Sequence, residues 1–565
     1  MFIRRKKMAN IRTKIQIVKS VRIQDKVRQK VLRHVGTAHD DNELAIFEAM
    51  ARAIMSELEI EAKGQQTLFN LKEYTDLVEV SRQAAEHPIP DHVKLNRCRE
   101  EGRAMVGVRD LFGTLYHRLG WDHVVGSSRP GSNRMIREMV MARITQPLSK
   151  RATVRDLYDQ SAVALNLDSV YRSMDYLDED RIAAICDRSM DLAKTLLPGP
   201  ITALFYDTTT LSFASDQEDE LRVKGFSKDG KHHRVQILLA LLITPEGLPV
   251  GYEVFPGNQA EGQTLLVALD ALKERYPEVE FTIVADAAMI NKDNEKKLQK
   301  RKIPYILGAR IKNLPKALEK EVLDSSGYRP WGKAEGSDNM ARYRCIKAGK
   351  ERQLIATYSP KRARKDEHER DRRLHKLLKR LDNSKQPSSL ASGGMAKYLA
   401  FPAGKVQLSE EKIARVTQWD GLRGIVTWGC QERDPRELVM QYRQLAEIEA
   451  CFRTNKHDLK IRPVFHWKER RIKAHLALCY MAFCCVQHLR YHLKARGHGM
   501  STDRIQRALQ GLQISILYDT TGQGTYGMPS QVSSDARKIY QTMGLSWNRD
   551  PFTIPTRKIS PEGVK

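Results

Sequence analysis

What this 565-residue chain lacks narrows what it can be. None of its eight cysteines (Cys98, Cys186, Cys345, Cys430, Cys451, Cys479, Cys484, Cys485) forms a Cys-x2-Cys pair, which argues against a zinc ribbon. Four of them lie near the helical stretch that follows Glu449 and read as buried thiols in a reducing compartment. No uninterrupted apolar run approaches the roughly 18 residues of a membrane span. The N-terminus is basic without the apolar core of a signal peptide. A cytoplasmic protein without a membrane partner is therefore expected. Acids are also scarce: 69 Asp and Glu stand against 95 Lys and Arg, a net charge of +26. Hydrophobic content of 41% is enough for a folded chain of several units. So basic a folded protein calls for a polyanion, and nucleic acid is the first candidate. RNA is the weaker choice, because no aromatic stacking motif of an RNA-binding module is present.

The chain divides by pattern. Residues 1–39 hold "KIQIVKSVRI" and "KVRQKVLRHV", alternating apolar and basic positions around Gln24-Asp25, which predicts a basic β-hairpin arm. Residues 40–198 read as helical throughout, a DNA-binding or dimerisation domain. Gly199-Pro200 ends it. Residues 199–310 then give three strands ("ITALFYDTTTLSF", "HRVQILLALLIT", "PVGYEVFPG"), a helix, a strand, a helix and a strand. That order is the one of a ribonuclease H-like α/β core, a mixed sheet flanked by helices. Residues 311–414 look inserted, with β-like pieces and one highly charged helix carrying a thin Leu374, Leu377, Leu381 stripe. Residues 415–495 return to the core, with one helix predicted from Asp434-Pro435 to Arg462-Pro463. Residues 496–565 read as a tail with a single helix.

Three acids stand out. Asp207 ends the first predicted strand, Asp286 ends the fourth, and Glu449 lies in the later helix. The first and fourth strands of a ribonuclease H-like sheet are neighbours, so both aspartates reach one rim. Three carboxylates on rigid elements suit two hard cations such as Mg²⁺, with Mn²⁺ able to substitute. Such a pair serves in-line phosphoryl displacement. Taken singly, an Asp such as that of "DTTT" is more often a turn former bonding its own backbone. On the predicted helix Tyr442, Leu445, Glu449, Arg453 and Lys456 recur every three or four residues and share a face. Arg453 and Lys456, with Lys460 and Arg462 beyond, are candidate phosphate contacts on double-stranded DNA. His232 and His233, at a strand start, suit a phosphate or surface contact better than a hard-cation site.

With these residues in view, the chain resembles the DDE transposases of bacterial insertion sequences, in the branch with a β-rich insertion before the Glu. Tyr442, Glu449 and Lys456 match that branch's Tyr-x2-Arg-x3-Glu-x6-Lys helix, with Leu445 where the Arg stands. "FYDTTTLSF", "GLPVGYEVFPGNQAEGQTL", "FTIVADAAM" and "EACFRTNKHDLKIRPVFHW" are family-like as well. The resemblance implies binding to terminal inverted repeats, cleavage at the element's ends and joining to target DNA by a homodimer in a synaptic complex. The metals would sit on Asp207, Asp286 and Glu449, in a bacterial, nucleoid-associated enzyme. Some relatives stack a flipped base on an aromatic residue. Trp419 and Trp428 lie near that place, although a Trp beside a strand is ordinarily core. A two-metal endonuclease without strand transfer, and a silent transposase-derived DNA-binding protein, stay compatible with the sequence.

Overall fold

The computed structural model describes residues 2–7, 13–23, 26–38, 44, 47–48, 51, 55, 77–161, 163–213, 217–225, 234–277, 279–287, 291–332, 341–383, 396–400, 406–461, 464, 466–521 and 524–555. His232, His233 and Arg462 lie outside them. The chain forms two compact units. The first comprises Met1–Pro200, Thr208–Gln259 and Glu447–Lys565; the second comprises Ile201–Asp207 and Ala260–Ala446.

The strands, in chain order, begin with β1 (Phe2–Lys7), β2 (Thr13–Ile23), β3 (Lys26–Ala38) and β4 (Cys98–Met105). The core strands are β5 (Ala203–Ser212), β6 (Val223–Lys224), β7 (Val235–Ile243), β8 (Pro249–Pro256), β9 (Thr282–Ala285) and β10 (Tyr305–Gly308). Next come β11 (Arg329–Pro330), β12 (Arg342–Gly349), β13 (Arg352–Tyr358), β14 (Leu399–Ala400), β15 (Gln407–Leu408) and β16 (Leu422–Trp428). The chain closes with β17 (Gln513–Asp519), β18 (Thr525–Pro529) and β19 (Phe552–Thr553).

In the first unit, β1, β2 and β3 form an antiparallel ribbon, one strand more than the hairpin the alternation predicts. Ile15, Ile17, Val35 and Ala38 cluster with Phe47 and Ala51 on its buried side. β4 interrupts the stretch read as helical. It pairs with β17 in a sheet ordered β19-β18-β17-β4, so the tail is a folded element with a second helix, Ser534–Met543. The sequence hides this because β4 is mostly polar and its partner lies near the other end of the chain. The helix Glu469–Ala495 is long and apolar enough to cross a membrane by length and composition, yet 94% of its apolar window is buried, as in a core helix. β7 is buried along its whole length, which explains its unbroken apolar run. It turns back into antiparallel β8 at Gly247, whose φ of +88° suits glycine.

The second unit's sheet runs β11-β12-β13-β16-β10-β9-β5, with β5, β9 and β10 mutually parallel in sequence of pairing. Helix Glu261–Arg275 joins the antiparallel strands to this parallel set and buries Leu265, Leu269 and Leu272, the stripe its spacing demands. Helix Lys292–Lys300 connects β9 to β10 and is capped by the Asn291 side chain on Asn294 N. The inserted strands β12 and β13 continue the sheet beside β16. The charged helix Pro360–Asn383 is held by Leu377 in a small cluster with Tyr398 and Leu399, and by an Arg370–Asp420 ion pair. These elements build the expected class: a ribonuclease H-like α/β core with a β-rich and helical insertion and a mainly helical N-terminal region.

Candidate active site

Asp207 and Asp286 come together in the second unit. Tyr206 and Ala285 are register partners on the parallel strands β5 and β9, and each aspartate is the next residue of its chain. Contrary to the sequence reading, Asp207 does not end its strand. β5 runs on to Ser212, and Phe213 N still bonds Val235 O at 3.0 Å. This mid-strand place removes the turn-former alternative for Asp207. Within an otherwise buried stretch from Ala203 to Leu211, Asp207 alone is half-exposed. Beneath it the Tyr206 hydroxyl donates to Thr264 Oγ1 at 2.7 Å and fixes β5 to helix Glu261–Arg275. Asp286 is exposed just past β9, and its Oδ1 accepts from Ala287 N at 2.6 Å.

Tyr442 belongs to the same unit. The predicted single helix is in fact three pieces: Pro435–Arg443, Leu445–Arg453 and a π-helical turn Thr454–Asp458. At Gln444 the amide bonds both Met440 O and Gln441 O, so the ladder tightens by one residue and the helix phase shifts. No Gly or Pro marks the break. Tyr442, Glu449 and Lys456 therefore lie on three successive pieces rather than on one unbroken helix. The Tyr442 hydroxyl lies against Gly308 of β10. A Cβ placed on Gly308 would collide with that hydroxyl and stand 3.0 Å from Ala287 N, the residue after Asp286. Gly308 is the site residue that sequence reasoning passed over. A glycine inside a strand pattern was its signal, since it marks close approach.

Glu449 lies in the first unit, exposed on helix Leu445–Arg453, whose Ile448, Cys451 and Phe452 point inward. Gln487 Nε2 donates to Cys451 Sγ at 2.6 Å, which anchors that helix to Glu469–Ala495. Burial pushes the Cys451 thiol up to about 12, so it packs and does not react. Arg453 is exposed and Lys456 half-buried in the π turn. Lys460 is exposed at φ +41°, a left-handed conformation held by Leu459 N on Thr454 O and Ile461 N on Asn455 O. Such a backbone costs about 1–2 kcal/mol in a non-glycine residue. Trp419 is buried, and Trp428 stacks on Tyr305 at 6.2 Å, so both serve the core.

Asp207 and Asp286 fit a hard divalent cation in donor type and in the rigidity of their strands. Among the described residues no group of three His, Cys, Asp or Glu side chains is arranged to hold a metal ion. The fitting pair is thus two carboxylates, with the third acid on the other unit.

The mixed sheet, with β5, β9 and β10 parallel and helices beside it, defines a ribonuclease H-like α/β core. The family model described as "Transposase DDE domain" matches residues 198–485, half of the chain, and this protein belongs to that family. Among solved structures, the chain is similar to the cryo-EM structure of a piggyBac transposase synaptic complex with hairpin DNA. The two are 11% identical over 66% of this chain and 68% of that one, with a TM-score of 0.32. No curated protein sequence matches the chain.

Proposed function

We propose that this transposase binds the terminal inverted repeats of its own element, cuts at the ends and joins them to target DNA. The adjacency of Asp207 and Asp286 on parallel strands carries the reading. Those two carboxylates, with Glu449 as the third, would hold two Mg²⁺ ions. Bound there, the metals supply a Lewis acid for the leaving oxygen and an activated water or 3′-hydroxyl as nucleophile. The chain's own residues orient the phosphodiester. Tyr442, beside the Asp286 turn, positions the strand, and Arg453, Lys456, Lys460 and Arg462 neutralise flanking phosphates. The mid-strand seat of Asp207, braced by Tyr206 on Thr264, keeps one carboxylate fixed while the exposed Asp286 meets the substrate side. Two copies act together on paired double-stranded ends, in the bacterial cytoplasm on the nucleoid.

The test is a supercoiled plasmid carrying two element ends, incubated with target DNA and Mg²⁺. Joined products support the proposal. Nicks at the ends without any joined product would make the protein an endonuclease instead.

A further inference from the structure

In the first unit, two cations are buried with no carboxylate partner among the described residues. Arg143, on helix Pro130–Thr145, is 6% exposed, and Lys150, which opens helix Lys150–Ser161, is 5% exposed. Neither is ion-paired to a carboxylate among the described residues. Arg143 reaches only backbone carbonyls, of Lys460 and Leu148, each at 3.4 Å. His475, on helix Glu469–Ala495, is 5% exposed; its ring lies 5.3 Å from that of half-buried His466. His475 Nε2 bonds Ile461 O at 3.3 Å, which leaves Nδ1 buried with no partner. The nearby acid Asp175 is engaged by Arg471 at 2.7 Å. Burial, then the Arg143 charge, lowers Lys150 to about 7, and burial foremost, then the Lys150 charge, holds both histidines down.

Burying unpaired cations is costly, and an anion beside them would offset that cost. A metal ion is the wrong ligand, since Arg143 and Lys150 repel it. A phosphate is the right one. It supplies the missing negative charge, it meets donors from a guanidinium, an ammonium and the His466 ring, and it lies at a helix start. Residues 147–149 and His466 are half-exposed, and the exposed Trp467 follows directly.

We propose that Arg143, Lys150 and His466, beside His475, form a phosphate-binding site that takes one phosphodiester group of the DNA. The choice of DNA as the source rests on the transposase reading above; the phosphate chemistry does not.

Full-length wild type, Lys150→Met and Arg143→Gln test this, with Lys150→Arg as the charge-keeping rescue. Melting midpoints are read at pH 7 in sodium chloride and in sodium phosphate at matched ionic strength. Duplex binding is read across a salt series. Phosphate raises every midpoint by exclusion from the surface. Wild type and Lys150→Arg should gain more than the two neutral variants, and those variants should lose about one from the salt slope of duplex affinity. Equal phosphate gains in all four proteins overturn the site. A lost phosphate gain with an unchanged duplex slope overturns DNA as the source and assigns a free phosphate compound. Should no protein bind duplex, the transposase reading fails, while the phosphate comparison still decides the site.

Discussion

Gly308→Ala probes the seat of Tyr442. In a strand, alanine normally gains about 0.5–1 kcal/mol over glycine. Here the new methyl meets the Tyr442 hydroxyl head-on and stands 3.0 Å from the ring's Cζ and from Ala287 N. Overpacking of that kind costs about 1–3 kcal/mol. The tyrosine can swing aside more cheaply than the backbone can move, so net destabilisation should fall near 1 kcal/mol. The loss of cleavage should be larger, because Tyr442 leaves its place beside the Asp286 turn. Tyr442→Phe removes the colliding oxygen. In the Gly308→Ala background it should therefore restore stability, giving a coupling of about 1 kcal/mol between the two changes. Urea unfolding of the four proteins measures it, and plasmid cleavage follows the activity. Additivity within about 0.3–0.5 kcal/mol would refute the contact.

Other consequences can be measured on the same protein. Burial holds His466 and His488 at about 3, and His475 well below its ordinary value. The unfolded chain takes up protons there from about pH 6.5 downward and the folded chain does not. Stability should thus fall as pH drops from about 6.5 toward 3, by up to about 1.4 kcal/mol per pH unit for each histidine. Urea midpoints between pH 7 and 5 check this, and a flat profile contradicts it. For Lys150, lowered to about 7, the unfolded chain holds the extra proton between about 7 and 10.5, so stability should rise with pH across that window. The rise should vanish in Lys150→Met. In the second unit, Glu295 is 8% exposed and receives Arg352 Nε at 2.6 Å and the Tyr305 hydroxyl at 3.0 Å. Arg352→Met should cost roughly 3–5 kcal/mol by leaving that carboxylate buried without its cation, and Glu295→Gln in the same background should recover part of it. Thermal melts decide.

Much of the core was legible because its signals are local. The apolar run of β7 and the Leu265, Leu269, Leu272 stripe each follow from neighbouring residues. Asp207 and Asp286 could be paired in advance because strand order alone makes β5 and β9 neighbours. What escaped depends on distance or on a single turn. β4 declares itself only through β17, near the far end of the chain. The break at Gln444 is one bifurcated amide with no Gly or Pro to announce it, yet it ends the helix that carries Tyr442 before the one that carries Glu449 begins. The π turn at Thr454–Asp458, which carries Lys456, likewise follows from no local signal. Buried cations such as Lys150 were invisible, since a lysine at a helix start is usually solvated.

The most direct test of the central claim is Mg²⁺-dependent cleavage of a supercoiled plasmid bearing the element's ends, comparing wild type with Asp286→Asn and Glu449→Gln. The account predicts end-specific cuts by wild type and none by either variant, with end binding retained in both. Wild-type cleavage by Glu449→Gln would remove that residue from the catalytic set, and wild-type cleavage by Asp286→Asn would contradict the account at its base.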